Sequence, residues 1–266
     1  MPLAFEVLCG RATAPGSTAT TLTPLTGDSF VIKNSTPGKR VFLGNACARI
    51  HSGTTGVLRI RSPKLHDNVL GLNWALRGGH SYLLMPLSVQ QNVFPQDVLV
   101  LDITGSGTAG AIEHGGIMVW YEDLPGVTAR LTNYGDIAAR IKNIFTVRAG
   151  LTPSTTGDYS GTKAINADYD LFKANVDYAL LGYKVTAEAF MIGIRGPDTG
   201  NLRIGMPAAV GFEDETEEFF IRLNERWKVP TIPVINGSNK FSTTLDVVQD
   251  ETGTGTTVTL IMAELG

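Results

Sequence analysis

Short runs in which apolar and polar side chains alternate dominate the chain. In Leu58-Arg59-Ile60-Arg61 and again in Leu202-Arg203-Ile204 the alternation has a period of two. That spacing predicts strands with leucine and isoleucine turned to a core and arginine turned to water. Further strand-like runs follow at 18–25, 29–33, 39–50, 81–87, 97–103 and 116–124, with 5–8 as an outer strand. In the second half they fall at 178–194 (read as two strands), 201–207, 228–235, 242–248 and 256–265. Each half thus predicts about eight short strands, each bounded by Gly, Pro, Asn, Asp or Ser. The fold class this predicts is all-β, as a sandwich or barrel.

Three segments carry a helical period instead. Residues 136–145 place Ile137, Ile141, Ile144 and Phe145 on one helical face. Residues 213–229 open with the acidic run EDETEE, which favours a helix N-terminus, and continue with an apolar stripe of Phe219, Phe220, Leu223 and Trp227. Residues 66–79, with Leu70, Leu72, Trp74 and Leu76, predict a helix or helical turn in the corresponding connection of the first half.

The two halves also share words. TGVLRIRSP at 55–63 and TGNLRIGMP at 199–207 agree at six of nine positions, 144 residues apart. The same offset relates Leu101-Asp102-Ile103 to Leu245-Asp246-Val247, Ile117-Met118 to Ile261-Met262, and Pro86 to Pro230. TGSGT (104–108) and TGTGT (252–256) recur a few residues out of step. Matches in one order at one spacing predict a duplicated β unit: a first unit at 1–130, a linker with a short helix at 131–150, and a second unit at 151–266.

Composition narrows the function classes. Of 266 residues, 43% are apolar and 18% charged, a globular balance. The net charge of −3 comes with no cluster of Lys or Arg, so nothing attracts nucleic-acid phosphate or an anionic membrane by charge alone. No run of 18 apolar residues is present, and the N-terminus lacks the pattern of a secretory signal. Production in a cytosol, with release by lysis if the protein leaves the cell, is the expectation.

Candidate chemistry is sparse. Cys9 and Cys47 match neither a disulfide framework nor a metal spacing, and read as buried small side chains. His51, His66, His80 and His114 are scattered, and the second half has no histidine. Glu113-His114 resembles an acid–base pair but sits in a Gly-rich turn, where solvation is the simpler role. The glycines of 103–110 and 251–256 precede strands, whereas a phosphate loop precedes a helix. EDETEE lacks EF-hand spacing. Asn34-Ser35-Thr36 and Asn236-Gly237-Ser238 fit the glycosylation pattern, which matters only in a secreted chain. No catalytic, cofactor-binding or metal site is expected, and the chain is not expected to be an enzyme.

Two tandem β units of this size, each with a helix-bearing connection at the matching place, resemble the double jelly-roll major capsid proteins of tailless icosahedral viruses. The compact length fits the membrane-containing corticovirus-like and tectivirus-like members. The resemblance spans roughly residues 5–265. It implies two tandem eight-stranded jelly rolls, no cofactor, and a homotrimer that tiles a virion shell as a pseudo-hexamer. The partners it implies are neighbouring capsomers and penton or minor capsid proteins, with an internal viral membrane as a further candidate and no specific nucleic acid. Assembly would take place in the host cytoplasm. Two other readings stay open. A tandem β-sandwich binding module of a phage spike or lectin-like protein would stack sugars on Trp74, Trp120 or Tyr121. A duplicated barrel enzyme of the bicupin kind would build a metal site from His51, His66 and His80.

Overall fold

A computed structural model of the chain describes residues 3–51, 54–65, 68–77, 81–187, 189–208, 216–250, 253 and 255–266. Strands make up 49% of it and helices 8%, so the chain is all-β. It divides into two compact units, Phe5–Pro125 and Gly126–Gly266. Among the described residues each unit holds nine strands.

In unit 1 the strands are β1 (Ala4–Thr13), β2 (Thr20–Thr21), β3 (Thr23–Pro24), β4 (Val41–Arg49), β5 (Thr55–Arg61), β6 (Leu72–Arg77), β7 (Ser81–Val93), β8 (Val100–Thr104) and β9 (Ile112–Tyr121). They form two sheets, ordered β3-β1-β9-β4-β7 and β2-β8-β5-β6. The sheets face each other: a Cβ added to Gly115 of β9 would lie 2.6 Å from Leu58 of β5. Leu58 and Ile60 are fully buried between them, while Arg59 and Arg61 keep about a quarter of their side chains in water. The two-residue period of β5 is therefore expressed as expected.

Unit 2 contains β10 (Leu131–Thr132), α1 (Tyr134–Ile137), a 3-10 turn (Ala138–Arg140), β11 (Ile141–Leu151), β12 (Tyr159–Ala164), β13 (Asp177–Val185), β14 (Met191–Arg195), β15 (Ile204–Pro207), α2 (Phe219–Trp227), β16 (Ile232–Asn236), β17 (Thr244–Val248) and β18 (Thr256–Leu265). Its sheets are ordered β10-β16-β13-β18-β11 and β12-β17-β14-β15. If the two-residue strands β3 and β10 are set aside, both units have one order. The first, eighth, third and sixth strands form one sheet, and the second, seventh, fourth and fifth form the other. Every pairing described in these sheets is antiparallel.

Three expectations need correction. The run 136–145 is not one helix: the helical part ends at Arg140, and Ile141–Leu151 is an 11-residue strand paired along β18. Phe145, Val147, Ala149 and Leu151 alternate inward there, a period-two signal that the four apolar residues of the helical reading masked. The segment expected as a linker thus supplies a principal strand. The expected helical turn at 66–79 is also absent from the described part, since Leu72–Arg77 is strand β6 paired with β5. Residues 66–67 and 78–80 lie outside the described residues. Finally, TGVLRIR forms β5, the fourth strand of its eight, whereas TGNLR is the turn leading into β15, the fifth.

The constant offset of 144 holds where the structure is equivalent. It relates β8 to β17 and β9 to β18. Earlier strands are closer, with β6 and β15 starting 132 residues apart. The difference accumulates in the connection between the fifth and sixth strands, where unit 2 carries α2. That helix buries Phe219, Phe220, Leu223 and Trp227. The Phe219 ring meets Tyr183 edge-on at 5.4 Å, and Thr231 Oγ1 donates to the Phe220 carbonyl at 2.7 Å. Lys228, with φ of 56°, ends the helix in the left-handed conformation.

Gly182 of β13 sets how closely this connection packs, because a Cβ there would collide with the carbonyls of Glu217 and Thr216. Backbone cannot swing aside as a side chain can. A Gly182→Ala variant is therefore expected to destabilise unit 2 by about 2–3 kcal/mol. Chemical denaturation checks the loss, and faster proteolytic cleavage near α2 checks its location.

Candidate functional site

The repeated words meet at an ion pair in each unit, by different routes. Asp102 on β8 stands opposite Arg59 on β5. Its Oδ2 accepts from Arg59 Nη2 at 2.9 Å and from Arg61 Nε at 2.7 Å, and its Oδ1 accepts from Thr21 Oγ1 at 2.7 Å. Asp246 occupies the same place on β17, but Gly193 of β14 stands opposite it. Arg203, at the foot of β15, crosses that gap and reaches Asp246 Oδ2 at 3.2 Å. A Cβ on Gly193 would collide with Asp246 Oδ1 and lie 2.9 Å from Arg203 Cδ. Arg203, expected on the wet face, is instead buried, with its guanidinium 3.7 Å from the centre of the Tyr159 ring.

The two aspartates differ electrostatically. Burial works against the charge on Asp102, but the bonds from Arg61, Thr21 and Arg59 outweigh it and hold the carboxyl below the usual carboxylate range. Burial pushes Asp246 up, and the nearby Arg203 only partly opposes it. Both clusters sit within a sheet, and both carboxylates are buried.

The remaining candidates are also absorbed by the fold. Glu113 and His114 are not in a solvated turn: both are fully buried at the start of β9. The Glu113 carboxylate accepts from the backbone N–H of His51 at 2.6 Å and of Ser106 at 2.7 Å, so it anchors the TGSGT loop. Cys9 and Cys47 are buried thiols, not joined in a disulfide, on either side of Gly116, each 2.9 Å from where its Cβ would be. Trp120 and Tyr121 are fully buried, and the Tyr121 hydroxyl donates to Glu6 at 2.8 Å. Trp74 lies half-buried on edge strand β6, opposite the core residue Leu58. Asn236 caps the following turn and donates to Asp177 at 2.8 Å. His66, His80 and residues 213–215 of the acidic run lie outside the described residues. Among the described residues, no three His, Cys, Asp or Glu side chains cluster as metal ligands, and no helix is long and apolar enough to cross a membrane. A shallow hollow in unit 2, lined by Arg130, Arg140 and Asp177, is closed to charge by its own bonds: Arg130 grips Asp177 at 3.0 and 2.6 Å, and Arg140 Nε donates to Gly266 O.

The surface feature that stands out is apolar and repeats. Antiparallel pairing puts alternate connections at the same end of a unit. In unit 1 the β3–β4, β5–β6 and β7–β8 connections meet there. Ile32 N–H donates to the Asp97 carbonyl at 2.8 Å, and Ser62 Oγ donates to the Asp97 carboxylate at 2.5 Å. In unit 2 the β12–β13, β14–β15 and β16–β17 connections meet likewise. Ile165 N–H donates to the Thr243 carbonyl at 3.0 Å, and Asn239 Nδ2 donates to Asp198 at 2.8 Å.

Of the eleven large apolar side chains exposed among the described residues, eight lie in these connections. Unit 1 contributes Val31, Val69, Leu70, Phe94 and Val98; unit 2 contributes Tyr169, Leu171 and Phe241. Phe94 is 51% exposed and Phe241 69%. A lysine ammonium lies over each ring, Lys64 at 5.6 Å and Lys240 at 5.3 Å. Sequence reasoning missed this set, because isolated apolar residues in turns carry no periodicity.

Comparison with known proteins gives little else. No family model matches the chain, and no curated protein matches it. Among solved structures, the chain is similar over its full length to one described as "Cryo-EM structure of T=1 Penaeus vannamei nodavirus", at 12% identity and a TM-score of 0.24, covering 99% of that chain. It is also similar over 46% of its length to one described as "Bacillus endospore appendages form a novel family of disulfide-linked pili", at 13% identity and a TM-score of 0.27, covering 89% of that chain. At those scores neither likeness bears on the function.

Proposed function

We propose that this chain is a structural, non-enzymatic protein: the major capsid protein of a tailless icosahedral virus. In this reading each unit is an eight-stranded jelly roll, and three copies make a six-part tile of the virion shell. The observation that carries it is the shared strand order, first-eighth-third-sixth over second-seventh-fourth-fifth, in both halves of one chain. A chain made of two like blocks produces six like blocks around a three-fold axis, and a near-hexagonal tile covers a facet with few gaps. The burial of Trp120 and Tyr121 and the internal bonding of Glu113, Asp102 and Asp246 support a scaffold over a sugar-binding or catalytic module. Light scattering on the purified chain tests the proposal. The expected particle has three times the 28.5 kDa chain mass, and electron microscopy should show it as a six-lobed plate. A stable monomer at all concentrations would remove the reading.

A further inference from the structure

The corresponding first strands of the two units, β1 and β11, differ in what covers their outer edges. In unit 1, β3 covers part of the outer side of β1, pairing with Gly10 and Arg11. In unit 2, β11 is itself the edge of its sheet, next to β18. At Gly150 the outward peptide groups are occupied by side chains. The N–H donates to Asp168 Oδ2 at 2.7 Å, and Lys163 Nζ donates to the carbonyl at 3.1 Å. Those side chains pair with each other at 2.5 Å, so the clamp is neutral. Register is unbroken from Ile144 to Leu151, so the N–H and C=O of Ile144, Thr146 and Arg148 point the same way as those of Gly150. Among the described residues nothing bonds to these three. They form a short open ladder, ended by the clamp on one side and by the register break at Ile141/Asn143 on the other. The side chains along it are cationic at both ends: Arg148 and Lys142 are exposed, with Ile144, 63% exposed, between them. Arg148 also lines a hollow with Gly150, Asp168, Tyr169 and Thr257. Two carboxylates near the strand, Asp168 and Glu264, each already hold a lysine, Lys163 and Lys173.

We propose that the β11 edge from Ile144 to Arg148 takes an extended acidic segment of a partner protein as an added strand, with one carboxylate of that segment received by Arg148 in the hollow beside Tyr169. A row of open main-chain groups recognises extended backbone, and the flanking side chains select its sequence. A second copy of β11 is the poorer occupant. Self-pairing would bring Arg148 and Lys142 of both copies onto one ribbon, and like charges across a strand pair are destabilising. The site belongs to unit 2 alone, so it stands or falls apart from the tile reading.

The probe is a fluorescein-labelled heptapeptide alternating valine with glutamate, blocked at both ends and titrated onto the full chain by anisotropy. Two control peptides each change one feature: lysine replaces glutamate in the first, and every backbone amide is N-methylated in the second. The acidic peptide is expected to bind, and each control to bind at least about tenfold more weakly. Arg148→Glu is expected to weaken the acidic peptide by a similar factor. So is Thr146→Pro, which removes an outward N–H and none that bonds β18. Amide exchange at Ile144, Thr146 and Arg148 should slow when the acidic peptide is added, while Val147 and Ala149, which face β18, stay as they were. If Thr146→Pro fails to fold, Arg148→Glu and the exchange pattern carry the test. No binding of the acidic peptide would overturn the proposal. Equal binding of the acidic and N-methylated peptides would reduce the edge to a charge attraction and overturn strand addition. Edge amides that become protected in the chain alone as its concentration rises would give the edge to a second copy. None of these outcomes touches the tile reading, and a monomeric chain that still binds the acidic peptide would overturn the tile and keep this site.

Discussion

Replacing Asp102 by asparagine is expected to destabilise unit 1 by about 3 kcal/mol at pH 7, the lower end for breaking a buried pair. Two guanidiniums, Arg59 and Arg61, share that one carboxylate, and only 2% of its side chain is exposed. Each arginine keeps about a quarter of its surface in water, which lets it recover some hydration and moderates the loss. The loss should depend on pH in a definite direction. The folded-state value of Asp102 is lowered, so its contribution is complete above the unfolded value of about 3.9 and disappears as pH falls through the folded value. Urea midpoints for the parent and the Asp102→Asn chain should therefore differ at pH 7 and converge in strong acid. A gap that persisted undiminished there would mean that packing, and not charge, was lost. Asp246 runs the other way. Its folded-state value is raised, so its contribution is complete below about 3.9 and declines as pH rises through the folded value. Mild acid should accordingly favour the β17 region of unit 2, read by amide exchange, before it harms β8 of unit 1.

The same two aspartates show how far the sequence was readable. The offset between Leu101-Asp102-Ile103 and Leu245-Asp246-Val247 identified equivalent strands, because short central strands tolerate no insertion without losing their register. The match between TGVLRIR and TGNLRIG did not. Its leucine and isoleucine positions are buried in both copies, yet one copy is a strand and the other begins as a turn. What decides between them is the partner across the ladder, Asp102 opposite Arg59 but Asp246 opposite Gly193, and that is a long-range fact. The α2 stripe was legible because Phe219, Phe220, Leu223 and Trp227 satisfy a helical period and no strand period. The Ile141–Leu151 strand was not, because Ile137, Ile141, Ile144 and Phe145 fit a helix equally well until β18 is there to pair with them. The exposed apolar set at the ends of the two units was invisible for a related reason. Phe94 and Phe241 belong to different halves of the chain, and only the shared strand order places them at corresponding ends.

The second large effect separates scaffold from binding module at a single residue. Trp120 is fully buried against Phe5, with ring centres 4.3 Å apart, and stacked on Phe42 at 6.1 Å. Gly44 leaves the space its indole occupies, since a Cβ there would collide with Nε1. Trp120→Ala is expected to destabilise unit 1 by about 4 kcal/mol, through lost burial and the cavity left behind. Trp120→Phe should cost much less than its loss of volume suggests. Among the described residues the Nε1–H has no hydrogen-bond partner, and leaving such a group buried costs the parent about 1–3 kcal/mol that phenylalanine would recover. The ratio of the two losses, read from denaturation midpoints, thus reports a core residue with an unmet donor. A sugar-stacking tryptophan would show the opposite pattern, with both variants as stable as the parent and parent fluorescence that shifts on adding saccharide. Fluorescence that stays unmoved by saccharides, alongside a steep loss of stability in the alanine variant, would place the aromatic residues of the first unit in the service of the fold and leave recognition to its exposed loop ends.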